Sequence, residues 1–273
     1  MPVRVLQSFG VGNGFDITSG QLEGYSIIDK FGENPDIDTG TVPEDIWEYG
    51  GLYNYDAINT APIVSLVSDN TLDTMDIIVT GLDIAGIEVT QTIKLTGTTR
   101  VALTTPLWRV YRMANVGATG EDINGTVYCY TSTGNVPLAA EIRAMIYDGN
   151  NQTLMALITI PLGKVGFLFR GELGGSRSNT AGEVRSAYYS RRVGKVFRIK
   201  KRINLVNSGT SIYQDERYFP DVIPALTDVK LTVENVSANN MGVFGTLIIM
   251  LVDEKFLEKG YLTAIGQPLE MPT

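Results

Sequence analysis

The sequence predicts an all-β protein, an antiparallel β-sandwich of jelly-roll type with room for two sandwich halves and an extended N-terminal arm. Three observations carry this. Apolar and polar residues alternate with a period of two: Ile87, Val89, Ile93 and Leu95 interleave with Glu88, Thr90, Thr92 and Lys94, the pattern of a strand with one buried face. The 29 Gly and 11 Pro fall mostly between short apolar runs, where turns are needed. The spacing of those runs leaves little room for crossover helices, which favours antiparallel sheets over βαβ units.

Residues 1–58 show weak periodicity and many Gly, Asp and Asn. They read as an extended or loop-rich arm whose Trp47, Tyr49, Tyr53 and Tyr55 offer apolar area to bury. Strands are expected at 62–67, 75–80, 87–95, 108–113 and 126–130. Ala140, Ile142, Ala144 and Ile146 alternate into Asp148-Gly149-Asn150-Asn151, and Leu154, Ala156, Ile158 and Ile160 alternate out. This reads as a β-hairpin. Val165, Phe167 and Phe169 continue the pattern, and residues 184–192, 195–205, 228–236 and 246–252 complete it. The segments divide into a first half at 59–163 and a second at 164–259, with one helical turn expected near 256–259 and a tail at 260–273.

Composition excludes several classes of chemistry. The 273 residues contain no histidine and one cysteine. Imidazole bases, His-ligated metals, Ser-His-Asp triads and intrachain disulfides are therefore absent. Cys129, between two tyrosines, reads as a small buried strand residue. No apolar leader follows Met1 and no run reaches membrane-spanning length, so no secretion signal is expected. We expect no catalytic residue, no metal and no cofactor.

Three motifs invite chemistry and each has a plainer reading. Gly10-Val11-Gly12-Asn13-Gly14 lacks the Lys-Ser/Thr of a phosphate loop and reads as a turn. Asn34, Asp36 and Asp38 alternate like calcium ligands, but Gly40 falls one residue late and Asp45 stands where a bidentate Glu belongs. Asp69, Asp73, Asp76 and Asp83 resemble paired catalytic carboxylates, yet their positions at strand ends suit turn formation.

Charge is unevenly placed. Residues 1–99 hold three bases against fifteen acids, whereas 164–202 hold eleven bases against two acids. In the strand expected at 195–205, Arg198, Lys200 and Arg202 share one face, with Phe197, Ile199, Ile203 and Leu205 on the other and Lys201 interrupting the apolar side. Arg191 and Arg192 precede it. The stripe reads either as a solvated face or as a contact for an acidic protein surface, which the chain itself carries; the net charge of −8 opposes nucleic acid.

The runs EDIWEYGGLYNY (44–55), VTGLDIAGIEVTQTIKLTGTT (79–99), GNNQTLMALITIPLGKVGFL (149–168) and DVIPALTDVKLTVENVSANN (221–240) resemble virion structural proteins of tailed bacteriophages of marine and environmental type. The resemblance implies a multi-copy virion component with a jelly-roll or related fold, made in the bacterial host cytoplasm and serving as head decoration, neck or appendage. Its expected partners are copies of itself and other virion proteins, with no membrane and no nucleic acid. The subunit-interface candidates are Arg191, Arg192, Arg198, Lys200 and Arg202, together with Trp47, Tyr49 and Tyr53 buried against a neighbour. The alternative is a receptor- or carbohydrate-binding fibre module using Tyr188, Tyr189, Tyr213 and Tyr218; a carboxylate enzyme acting on polysaccharide ranks third.

Overall fold

The computed structural model describes residues 16–117, 120–176, 182–207 and 210–257. Its sixteen strands are β1 (Tyr25–Ile37), β2 (Glu44–Asp45), β3 (Ile63–Ser68), β4 (Asp76–Leu82), β5 (Glu88–Lys94), β6 (Val101–Leu107), β7 (Arg109–Asn115), β8 (Val127–Tyr130), β9 (Ile142–Ile146), β10 (Leu157–Thr159), β11 (Lys164–Ser176), β12 (Gly182–Arg192), β13 (Arg198–Asn207), β14 (Thr210–Ile223), β15 (Thr227–Val236) and β16 (Met241–Asp253). Every sheet pairing is antiparallel. Among the described residues no helix is long and apolar enough to cross a membrane.

The strands form a jelly roll and an inserted sandwich. One jelly-roll sheet runs β1-β16-β11-β14; the other runs β10-β15-β12-β13, with β2 also on β15. Strands β2 and β10 lie end to end along the same edge of β15: Asp45 faces Thr232, and Leu157 faces Lys230. Between them the Ile46 amide donates to the Leu231 carbonyl, and the Ala156 amide donates to the Ile46 carbonyl. They are one strand position interrupted by residues 47–155. Counted so, the order is that of a jelly roll closed around a single core. That core includes Ile46, Ile158, Leu231, Val243, Leu247 and Ile249.

Residues 47–155 build a second sandwich, with sheets β6-β3-β8-β9 and β5-β4-β7. Its core includes Leu66, Ile77, Val79, Met113, Cys129 and Ile146. The expected hairpin across residues 148–151 is corrected by this arrangement. The chain does turn, with Asn150 N–H donating to the Tyr147 carbonyl, but β9 pairs with β8 and β10 with β15. The alternation continues through the turn because both strands are buried, each in a different sandwich. The helical turn near the end is a 3-10 turn at Glu254–Phe256.

Residues 25–46 are not an arm. β1 pairs along its length with β16, and its inward face carries Lys30, Gly32 and Asn34, all buried. Polar residues on the buried face hide the alternation that would mark a strand. The Lys30 ammonium is capped by the Tyr111 carbonyl, and Asn34 donates to Glu44 at 2.8 Å, so the Asn34–Asp38 pattern serves the sheet. Residues 1–15, with the Gly10–Gly14 run, and the tail at 260–273 lie outside the described residues.

The two sandwiches meet through packed side chains and buried charge. Leu82, Trp108 and Tyr111 of the insertion enter the jelly-roll core. Gly86, at φ +79°, lets the β4–β5 turn approach Leu226, whose Cδ2 would lie 2.6 Å from a Cβ there. Asp228 on β15 is fully buried and accepts from Thr159 Oγ1 at 2.5 Å, Arg191 Nε at 2.9 Å and Arg109 Nε at 3.5 Å. Arg109 belongs to the insertion and also donates to the Asp56 carbonyl at 2.9 Å. The Asp56 carboxylate takes a two-pronged contact from Arg143, at 2.8 and 2.9 Å. Asp45, also buried, binds Lys230 at 2.7 Å, Thr232 at 2.6 Å and the Tyr53 amide at 2.9 Å.

Two predictions follow from this junction. Replacing Asp228 with Ala leaves Arg109 buried without its counter-charge and should cost about 3–5 kcal/mol in urea unfolding. Burial lowers the Lys30 ammonium from 10.5 to about 7. Between those values the unfolded chain binds more protons than the native one, so stability should rise with pH from about 7 upward. Denaturation midpoints at stepped pH check this, and Lys30→Met should flatten the profile.

Candidate subunit-contact surface

The basic stripe lies on β13, an edge strand of the jelly roll. Its ladder with β12 pairs Val184 with Leu205 and Ala187 with Arg202, then slips between Tyr188–Lys201 and Tyr189–Ile199, leaving Lys200 as the extra residue. Such a bulge bends the strand and re-aims its side chains. It explains why Lys201 sits among apolar positions without penalty: Lys201 turns to β14 and pairs with Asp215 at 2.6 Å. Arg198, Lys200 and Arg202 are exposed. The bulge puts Arg198 opposite Ser190 and Arg202 opposite Ala187, so the expectation of one shared face is corrected. Arg198 and Lys200 border a cleft beside β14, while Arg202 lies on the other face.

The structure separates the five predicted cations. Arg191 is a structural residue, bound to Asp228 with its guanidinium 4.2 Å from the Phe197 ring centroid and 4.8 Å from that of Tyr55. Arg202 donates to Glu234 at 2.6 and 3.0 Å, and Tyr189 donates to the same carboxylate at 2.6 Å. Partial burial raises the Glu234 pKa, but the Arg202 and Tyr189 hydrogen bonds outweigh it and hold the group below the usual carboxylate range. Arg192, Arg198 and Lys200 make no ion pair with a described carboxylate. Lys195 joins them; it is not among the sequence candidates, and it lies not in the strand expected at 195–205 but in the turn before β13, beside Gly194 at φ +76°.

These four cations border a cleft of about 1280 Å³ between the β12–β13 hairpin and β14, with Asp215 and Asp221 on the far wall. Exposed apolar side chains accompany them: Val196 at 74%, Ile199 at 45%, Val206 at 69% and Ile212 at 59%. An edge strand with open backbone groups and exposed apolar residues is a template for another chain, and its cations select against like-charged partners.

The aromatic candidates are placed differently. Trp47 and Tyr53 are 4% and 5% exposed within the insertion's own core, so the expectation that they pack on a neighbour is corrected. They start the inserted sandwich, where an edge-to-face ring contact at 5.2 Å satisfies them internally. Tyr49 is half-buried, its ring tilted against Trp47 with centroids 5.3 Å apart. Tyr188 is buried, Tyr189 is held by Glu234, and Tyr213 is half-buried with its ring 5.3 Å from Lys201; the Tyr218 side chain lies outside the described residues.

Many acids of residues 1–99 are also spent internally. Asp73 is buried and accepts from Ser68, the Asn124 amide and the Gly125 amide. Asp83 accepts the Ala85 and Ile87 amides, the turn role expected of it. On β1, at the jelly-roll edge away from β14, Asp29, Glu33 and Asp36 remain exposed.

The division among cations is measurable. Replacing Arg191 with Gln should lower unfolding free energy by about 1.5–3 kcal/mol, the value of a hydrogen bond to a charged group. Replacing Arg192 or Lys200 with Gln should leave the urea midpoint unchanged.

No protein-family model matches the chain, and no curated protein matches it. Solved structures that are similar include that of the infectious bursal disease virus Gt strain, 14% identical, covering 85% of this chain and 72% of that one at a TM-score of 0.22. Another is the crystal structure of the infectious bursal disease virus VP2 subviral particle, 11% identical, covering 85% and 76% at a TM-score of 0.21.

Proposed function

We propose that this chain is a non-enzymatic virion structural protein of a tailed bacteriophage, assembling in multiple copies as a head decoration, neck or appendage component. The observation that carries the reading is the β13 edge. It combines open strand backbone, exposed apolar side chains and, at the neighbouring cleft, four cations that make no ion pair with a described carboxylate. A monomer gains nothing from that combination, whereas an assembling subunit uses it for register and partner choice.

Three further features support it. A jelly roll is an architecture used by capsid proteins, though it also serves lectins and enzymes. The chain lacks histidine, which removes the commonest general base. Exposed acids on β1 lie away from the basic β13 edge within the same jelly roll, so copies can meet head to tail, acidic edge to basic edge. Such a heterologous contact closes into a ring or tiles a lattice. The acidic partner of the stripe is then a second copy, with other virion proteins meeting the remaining faces.

Native mass measurement of the purified protein tests the assembly. Oligomers should form at low ionic strength and weaken as salt shortens the screening length to roughly 8 Å and below. The double substitution Arg198→Glu with Lys200→Glu should abolish them while leaving the circular dichroism spectrum and unfolding midpoint in place. Unchanged incorporation of that variant into particles would sink the proposal.

A further inference from the structure

The inserted sandwich carries a second concavity, separate from the basic edge. It has a volume of about 420 Å³. Its floor is Val67 and Tyr128, directly paired between β3 and β8. Because Leu66 and Cys129 point into the insertion's core, Val67 and Tyr128 face outward from the sheet. Tyr49 forms one wall, fixed by its contact with Trp47. The segment from Asn135 to Ile142 forms the opposite wall, and Asp69 and Thr98 stand at the mouth.

The walls are held in place before any ligand arrives. The loop after β8 is tied down by Tyr130 donating to the Gly134 carbonyl and Ser65 to the Ser132 carbonyl. Glu141 accepts from Ser132 Oγ and the Leu138 amide, both at 2.8 Å. Asn135 Oδ1 accepts the Arg100 amide at 2.9 Å, which leaves its NH₂ to donate elsewhere. Asp69 is exposed, takes the Thr126 amide on Oδ1 at 2.8 Å and also interacts with the Tyr128 phenol, and a carboxylate has lone pairs beyond these two contacts. A groove fixed in this way spares a ligand the cost of ordering it.

We propose that this groove binds one neutral pyranose unit of a saccharide. A sugar ring presents an apolar C–H face beside a rim of hydroxyls that both donate and accept. Two half-buried tyrosine rings meet the first requirement; an exposed carboxylate, an amide NH₂ and the Thr98 hydroxyl meet the second. No Lys or Arg lines the groove, so an anionic sugar or a phosphate finds no counter-charge there. Partial burial, and secondly the Asp69 charge, raise the Tyr128 pKa, and a hydrogen bond to Asp69 adds to the rise, so the phenol keeps its proton at neutral pH. The site differs from the tyrosines that the sequence suggested for sugar binding, Tyr188, Tyr189, Tyr213 and Tyr218: Tyr49 and Tyr128 are far apart in the chain and line one groove only through the fold. It also goes beyond the structural role proposed above, since an assembling subunit can carry or lack it.

Saturation-transfer NMR on the whole chain, with glucose, galactose, N-acetylglucosamine and rhamnose as probes, tests the assignment. At least one probe should receive saturation and perturb Trp47 emission through Tyr49. Tyr128→Ala, checked for folding by its melting temperature, should weaken binding at least tenfold. Tyr49→Ala provides a second variant if the first does not fold. Asp69→Asn, which keeps the acceptor for Thr126, should weaken binding less, and Tyr213→Ala should leave it intact. The assembly-blocking variant at Arg198 and Lys200 should still bind, which separates this outcome from the oligomer experiment. Absence of transfer to all four probes, or binding indifferent to both tyrosine substitutions, overturns the proposal.

Discussion

The buried carboxylate of Asp228 is the constraint on which the two-sandwich arrangement turns. It is fully buried in the jelly roll, yet its partners come from three places: Thr159 resumes the interrupted strand, Arg191 ends β12, and Arg109 belongs to the insertion. A charge out of water is tolerated only when opposite charges and donors surround it. Burial therefore forces these three segments to remain together. Asp45 repeats the device at the other end of the interruption, where Lys230, Thr232 and the Tyr53 amide converge on it. The insertion leaves the jelly roll beside Asp45 and returns beside Thr159, so both crossing points are secured by a buried acid.

This internal use of charge clarifies what remains outside. The acid-rich first third of the chain looks like a surface in composition, but several of its carboxylates organise turns and junctions. The basic segment behaves the same way in part: Arg191 and Arg202 are consumed by Asp228 and Glu234, while Arg192, Lys195, Arg198 and Lys200 border the open cleft. Cations that make no ion pair with a described carboxylate, beside an edge that invites pairing, are the features from which an assembly role is inferred.

Strand-edge chemistry also explains the strands that periodicity missed. β6 contains Pro106 and lies at a sheet edge, where the missing amide is harmless. β14 is another edge strand, rich in polar and charged residues such as Gln214, Asp215 and Glu216. β1 buries Lys30 and Asn34, so its inward face does not read as apolar. In each case hydrogen bonding to the rest of the sheet, rather than side-chain hydrophobicity, places the strand.

Local pattern alone determined the all-β class, the strands with one apolar face such as β4, β5 and β15, and the turn role of Asp83. Those properties depend on residues a few positions apart, which alternation and turn chemistry record directly. Only the tertiary structure decided that residues 47–155 interrupt a jelly-roll strand, that β9 and β10 part company across their turn, and that Trp47 and Tyr53 are core residues. It alone decided which cations pair with no described carboxylate, and that Tyr49 and Tyr128 line one groove. Each of these depends on a partner distant in the chain, and the choice among distant partners is made by the packing of whole sheets, which leaves no local period to read.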